Sequence, residues 1–247
     1  MNSIKKMMLS GALGCLISGM AYADGSSPQP VKPYWQDIQV VAVNKEKPRS
    51  SFMSYADRET ALTSRFEKSP YYSLLNGTWK FFFVDSYKDL PQNITDPSVN
   101  TSSWDDITVP GNWEVQGHGV AIYTNHGYEF KPRNPQPPLL PEANPVGVYR
   151  RDIEIPASWD NRDIYLHIGG AKSGLYVYLN GKEVGYSEDS KNPAEFLINK
   201  YLQPGKNVLT LKIFRWSTGS YLECQDFWRM SGIEPVSYTH LTLPTIA

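Results

Sequence analysis

The chain is poor in the residues that common catalytic and redox chemistry requires. It has two cysteines and four histidines in 247 residues. Cys15 lies in an apolar N-terminal stretch expected to be removed. Cys224 would then be the sole thiol, which excludes an intrachain disulfide. His118 and His126, with Glu114 and Glu129 nearby, match no metal-ligand spacing backed by a helix, and the two histidines read as solvated loop residues. Gly-x-Ser-x-Gly is absent, so a serine nucleophile elbow has no support. The stretch GGAKSG, Gly169–Gly174, has a lysine among glycines. Lys172 follows alanine and the glycine spacing of a phosphate loop fails, so a turn between strands is expected there. Asp105-Asp106 and Glu188-Asp189 are adjacent acids. Neighbours on a strand point to opposite faces, so neither pair can flank one glycosidic bond, and both read as exposed turn charges. A net charge of −1 provides no basic footprint for nucleic acid. No internal repeat is visible, and no apolar run reaches membrane-spanning length.

The N-terminus predicts the compartment. Lys5 and Lys6 precede an apolar run from Met7 to Met20 that ends in Ala21-Tyr22-Ala23. A positive start, a short apolar core and an A-x-A site together read as a secretory signal peptide over residues 1–23, cut before Asp24. Export to the periplasm or the extracellular space is the expectation. Ala12-Leu13-Gly14-Cys15 loosely matches a lipoprotein processing site and leaves anchoring at Cys15 as a second reading. Asn76, Asn93 and Asn100 open Asn-x-Ser/Thr sequons that matter only in a eukaryotic secretory pathway.

Aromatic residues are plentiful at 13%, with 16 Tyr and 7 Trp. Residues 24–70 read as an extended arm broken by Pro28, Pro30, Pro33 and Pro48, with Asp57 capping a short helix toward Phe66. From Tyr71 the pattern is β. Thr78–Val84 is aromatic and β-branched, and Leu166 and Ile168 alternate with polar neighbours. Leu175, Val177 and Leu179 alternate until Asn180-Gly181 signals a type I′ hairpin. Leu209, Leu211 and Ile213 share one face of a later strand. Ala194 to Leu202 offers a second short helical segment. The long aromatic- and proline-rich stretch from Pro110 to Pro145 is too long for a plain connection and reads as functional. Many short strands with few helices predict an all-β jelly-roll β-sandwich over residues 71–234. Residues 235–247, almost without charge, are set apart either as a final strand or, preferably, as an atypical tail foreign to the domain.

The densest signal is RWSTGSYLECQDFWRMSGI, Arg215 to Ile233. It gathers Trp216, Tyr221, Phe227 and Trp228 around Glu223 and Asp226. Flat apolar rings beside acceptor oxygens suit a sugar, whose C–H face stacks while its hydroxyls seek hydrogen bonds. A packed loop closing the sandwich fits the same composition, and at this level the two readings stand side by side.

Five segments in order carry a family resemblance: SLLNGTWKF (Ser73–Phe81), VPGNWEVQGHGVAIYTN (Val109–Asn125), NPVGVYRRDIEIP (Asn144–Pro156), LNGKEVGYSEDSKNPAEF (Leu179–Phe196) and the Arg215–Ile233 segment. Together they resemble the N-terminal sugar-binding domain of glycoside hydrolase family 2, most closely that of large bacterial β-galactosidases. The resemblance implies a galactose-binding-type jelly roll. Asn125, closing YTN, and Asp226, in QDFW, would then contact the substrate, with Asp226 also binding a sodium ion. A carboxylate suits both hydroxyls and a hard cation. The resemblance further places the two catalytic glutamates of a retaining mechanism and the magnesium ligands in a separate barrel. No catalytic residue is then expected in this chain, which alone would be inactive. The implied partners are a β-galactoside, the remaining domains of a parent enzyme and further copies of it. A free-standing carbohydrate-binding module, or part of a β-glucuronidase or β-mannosidase, is the alternative.

Overall fold

A computed structural model describes residues 32–50, 52–130, 134–234 and 239–242. The signal-peptide segment, Cys15, the first residues of the arm and residues 235–238 and 243–247 lie outside the described residues.

The larger of two main sheets has seven strands, in the order β1 (Ala42–Val43), β11 (Lys182–Ser187), β10 (Gly174–Leu179), β13 (Lys206–Phe214), β7 (Val146–Glu154), β3 (Gly77–Val84) and β4 (Asp105–Val109). The second has four, in the order β12 (Ala194–Leu197), β8 (Tyr165–Ile168), β16 (Thr239–Thr242) and β2 (Tyr72–Leu74). Every pairing is antiparallel. This is the expected jelly-roll sandwich. Asn180 and Gly181 turn the β10–β11 hairpin with φ of 53° and 78°, which its right-handed twist demands.

Period-two alternation sorts β3, β7, β10 and β13 of the large sheet between two apolar layers. Trp79, Phe81, Leu209, Leu211, Ile213 and Val177 face inward and pack with Leu166, Ile168, Phe196 and Leu241 of the smaller sheet. Val146, Val148, Tyr176, Tyr186 and Phe214 face the other way and form a second cluster. That layer is covered by Trp35 of the arm, which stacks on Phe214 at 5.0 Å, and by Ile94 and Trp104. The arm is therefore part of the fold. Within it Asp57 caps α1 (Arg58–Leu62) through the backbone N–H of Thr60, as its position predicts.

Four expectations need correction. Ala194–Leu197 forms strand β12 and not a helix, because its Ala194, Phe196 and period-two burial complete the second sheet. The stretch after Ile168 is no simple turn. Ala171–Lys172 forms β9, which pairs with β15 (Gly232–Ile233), itself paired with β5 (Gly111–Asn112). Glu188 is buried at 4% exposure, whereas its neighbour Asp189 is exposed and adopts φ of 81°. The fold also does not stop near Glu234, because Thr239–Thr242 lie between β2 and β8 as a strand.

Candidate functional site

Asn125 and Asp226 meet on a two-stranded ribbon beside the sandwich. Trp216 and Tyr221 of the Arg215–Ile233 segment instead pack against Phe130, and Glu223 accepts from Ser190, so these do not gather around Asp226 as expected. β6 (Ile122–Thr124) pairs with β14 (Phe227–Arg229), placing Tyr123 opposite Trp228 and Thr124 opposite Phe227. Asn125 and Asp226 are the next residues outward on the two strands, so the ladder brings together positions about a hundred residues apart in sequence. Both are exposed. Tyr123 donates its phenol proton to Asp226 Oδ1 at 2.7 Å, and its ring lies 5.6 Å from that of Trp228. The carboxylate partner raises the Tyr123 phenol above its ordinary range. Asn125 Oδ1 lies 2.7 Å from His126 Nδ1. Half of Tyr123 and of Trp228 is open to solvent. The ribbon thus presents two rings, a carboxylate and an amide on an accessible edge.

Asp226 is not consumed by the arginines of its own segment. Arg229 is buried over the Phe227 ring and donates to the carbonyl of Glu223. Arg215 is buried near Glu114 at 3.6 Å and donates to the carbonyl of Arg229. The other acids near the ribbon serve structure. Glu114 is a buried acceptor for the Ser231 N–H at 2.8 Å, and burial raises its pKa. Glu129 pairs with buried Lys172 at 3.2 Å, and burial lowers that ammonium's pKa. Glu114 and Glu129 are thus internal, and His118 is half-buried, not the solvated loop histidine its setting predicted. His118 packs edge-on to Phe81 and approaches Asp105 at 3.9 Å. Among the described residues no group of three or more His, Cys, Asp or Glu is placed to hold a metal ion. Asp226 alone would therefore supply only part of a cation's shell.

Sequence reasoning missed Tyr123. Its only signal was alternation, which puts it on the same side of its strand as Asn125. A second recess, about 540 Å³, runs between the arm and the smaller sheet and is lined by Arg49, Phe52, His167 and Glu195. Its polar groups already satisfy one another: Glu195 accepts twice from Arg49, at 2.7 and 2.9 Å, and lies 2.9 Å from His167 Nδ1. Neither Asn125 nor Asp226 lines it.

Residues 72–242 match the family model for the sugar binding domain of glycosyl hydrolases family 2. A β-galactosidase from Priestia megaterium is 39% identical over 213 residues, covering 85% of this chain and 21% of that protein. A β-galactosidase from Actinobacillus pleuropneumoniae is 40% identical over 200 residues, covering 81% and 19%. The chain thus spans about a fifth of the length of the curated relatives it matches. Among solved structures, a β-glucuronidase from Bacteroides uniformis superposes with a TM-score of 0.52 at 22% identity, covering 70% of this chain and 18% of that one. That likeness speaks to the fold.

Proposed function

The chain belongs to glycosyl hydrolase family 2, whose sugar binding domain it carries, and from that premise we propose that it forms one wall of a β-galactoside site in a larger secreted β-galactosidase. The observation that carries the reading is the juxtaposition of Asn125 and Asp226 on the β6–β14 ribbon beside an exposed Tyr123–Trp228 pair. Asp226 accepts from sugar hydroxyls through the oxygen that Tyr123 leaves free, and the Asn125 amide can both donate and accept. When bound, sodium would bring positive charge to the sugar oxygens, with Asp226 giving one of its carboxylate ligands. Magnesium and the two glutamates of retaining hydrolysis belong to the rest of the parent. In support, the buried acids around the ribbon are each committed: Glu114 to Ser231 and Arg215, Glu129 to Lys172. The relatives named β-galactosidase favour galactose over glucuronate. A free-standing module would bind the same sugar face without a parent.

Hydrolysis of an aryl β-galactoside by the purified chain tests the division of labour. No turnover above buffer is expected. Turnover that survives Asp226→Ala would overturn it.

A further inference from the structure

The Asp226-bearing segment has few backbone ladders of its own. Between β13 and β14 it runs through a single short turn, Thr218–Tyr221, before reaching the three-residue strand β14. A different piece of chain, Ser187–Ser190 at the end of β11, contacts it at two points.

Glu188 is central to that contact. Its carboxylate is buried, and every group described as facing it is a neutral donor. Tyr186 donates its phenol at 2.7 Å, the Thr218 hydroxyl lies 2.9 and 3.1 Å from the two oxygens, and the Gly219 N–H donates at 2.7 Å. Ser217 faces it as well. Gly219 is suited to this approach, since a Cβ there would sit 3.1 Å from Glu188 Oε2. Two residues on, Ser190 reaches the far side of the same turn. Its N–H and hydroxyl donate to the two oxygens of Glu223 at 2.8 and 2.7 Å. Both ends of the turn are therefore tied to one anchor, and Asp226 follows three residues after the second tie. The Glu188 N–H donates in turn to the Val41 carbonyl at 2.9 Å, which links the anchor to the arm.

A buried carboxylate surrounded only by neutral donors is costly to desolvate and is tolerated where its hydrogen bonds fix a geometry. We propose that Glu188 is a positioning residue, acting with Ser190 to hold residues 217–226 in the conformation that presents Asp226. The presentation step rests on the reading of Asp226 given above, whereas the tether itself does not.

The experiment compares the full chain with its Glu188→Ala, Glu188→Gln and Ser190→Ala variants by amide hydrogen exchange and by titration with methyl β-galactoside. In Glu188→Ala, exchange at Gly219 should rise about tenfold or more, as loss of one buried hydrogen bond allows. The rise should stay within residues 217–228 while β13 keeps its protection, and galactoside affinity should fall. Glu188→Gln retains an acceptor and should recover most of the protection. Ser190→Ala should free the Glu223 end without exposing Gly219 to the same degree. Unchanged exchange at Gly219, or a uniform rise across the sandwich in both Glu188 variants, would overturn the proposal. If the wild-type chain shows no galactoside binding, the sugar reading fails, while the exchange pattern still decides the tether.

Discussion

Tyr123 and Asp226, 103 positions apart in sequence, are joined by a 2.7 Å hydrogen bond from phenol to carboxylate across the β6–β14 ribbon. That contact occupies one carboxylate oxygen and fixes the orientation of an otherwise exposed side chain. It should be visible by absorbance titration of the phenol. The Tyr123 midpoint should lie above the ordinary tyrosine value, because the neighbouring carboxylate disfavours a second negative charge. In Asp226→Asn it should move down toward that value. An unmoved midpoint would mean that the two groups do not interact in solution.

Asp226→Ala should leave stability within about 0.5 kcal/mol of wild type, as for other exposed positions without a buried partner. In an active parent enzyme the same change should reduce galactoside kcat/KM strongly. A large drop in melting temperature would instead assign Asp226 a structural role.

Gly147 lies on β7, between Phe83 of β3 and Ile213 of β13. A Cβ there would meet the Trp113 ring at 2.6 Å and Phe81 at 2.7 Å, both belonging to buried side chains. Gly147→Ala should therefore destabilise by about 1–3 kcal/mol through overpacking, measured by urea unfolding. Little change would show that the Trp113 ring can shift freely.

The Lys172–Glu129 pair is 2% and 5% exposed at its side chains and ties the loop before Phe130 to β9. Glu129→Ala leaves the ammonium buried without its partner and should cost about 3–5 kcal/mol. Replacing both residues with apolar ones of similar volume should recover much of that loss. If the single and double changes cost the same, the pair does not act as a unit.

His240 in β16 sets a pH dependence. Burial, then the neighbouring His167, pushes its pKa down to about 3 from the usual 6.5, with Glu195 opposing and Arg49 reinforcing the shift. The unfolded chain therefore binds this proton more readily than the folded one. The stabilising effect of a neutral His240 is fully present above pH 6.5 and is lost as pH falls toward 3, at up to about 1.4 kcal/mol per pH unit. Glu195, lowered by His167 and Arg49 despite its burial, acts in the same direction at more acid pH. Glu114 and Glu188, raised by burial, act against it. His240→Leu should flatten the slope just below pH 6.5, and an unchanged slope would contradict this assignment.

Much of the sandwich was legible because its information is local. The β10–β11 hairpin followed from Asn180-Gly181, the inward face of β13 from Leu209, Leu211 and Ile213, and the α1 cap from Asp57. Glu188 was misread because adjacent acids look like surface turns. Its burial depends on donors from Thr218 and Gly219, about thirty residues away, which no local pattern displays. β16 was set apart for a related reason. Its residues fit their slot imperfectly, since Thr239 Oγ1 and His240 Nδ1 are buried without partners, and the slot is defined by β2 and β8. For the site, Asn125 and Asp226 came from family resemblance. The ribbon's register sets the two side by side, which no local pattern displays, and puts Tyr123 on Asp226.

The most direct test of the sugar-wall reading is a titration of the isotopically labelled chain with methyl β-galactoside in sodium-containing buffer, followed by NMR. Shift changes should be confined to the ribbon, at Tyr123, Asn125, Asp226 and the Trp228 indole, and should vanish in Asp226→Ala. Changes centred instead on the Arg49–Glu195 recess, or a ribbon unaffected by the galactoside, would contradict it.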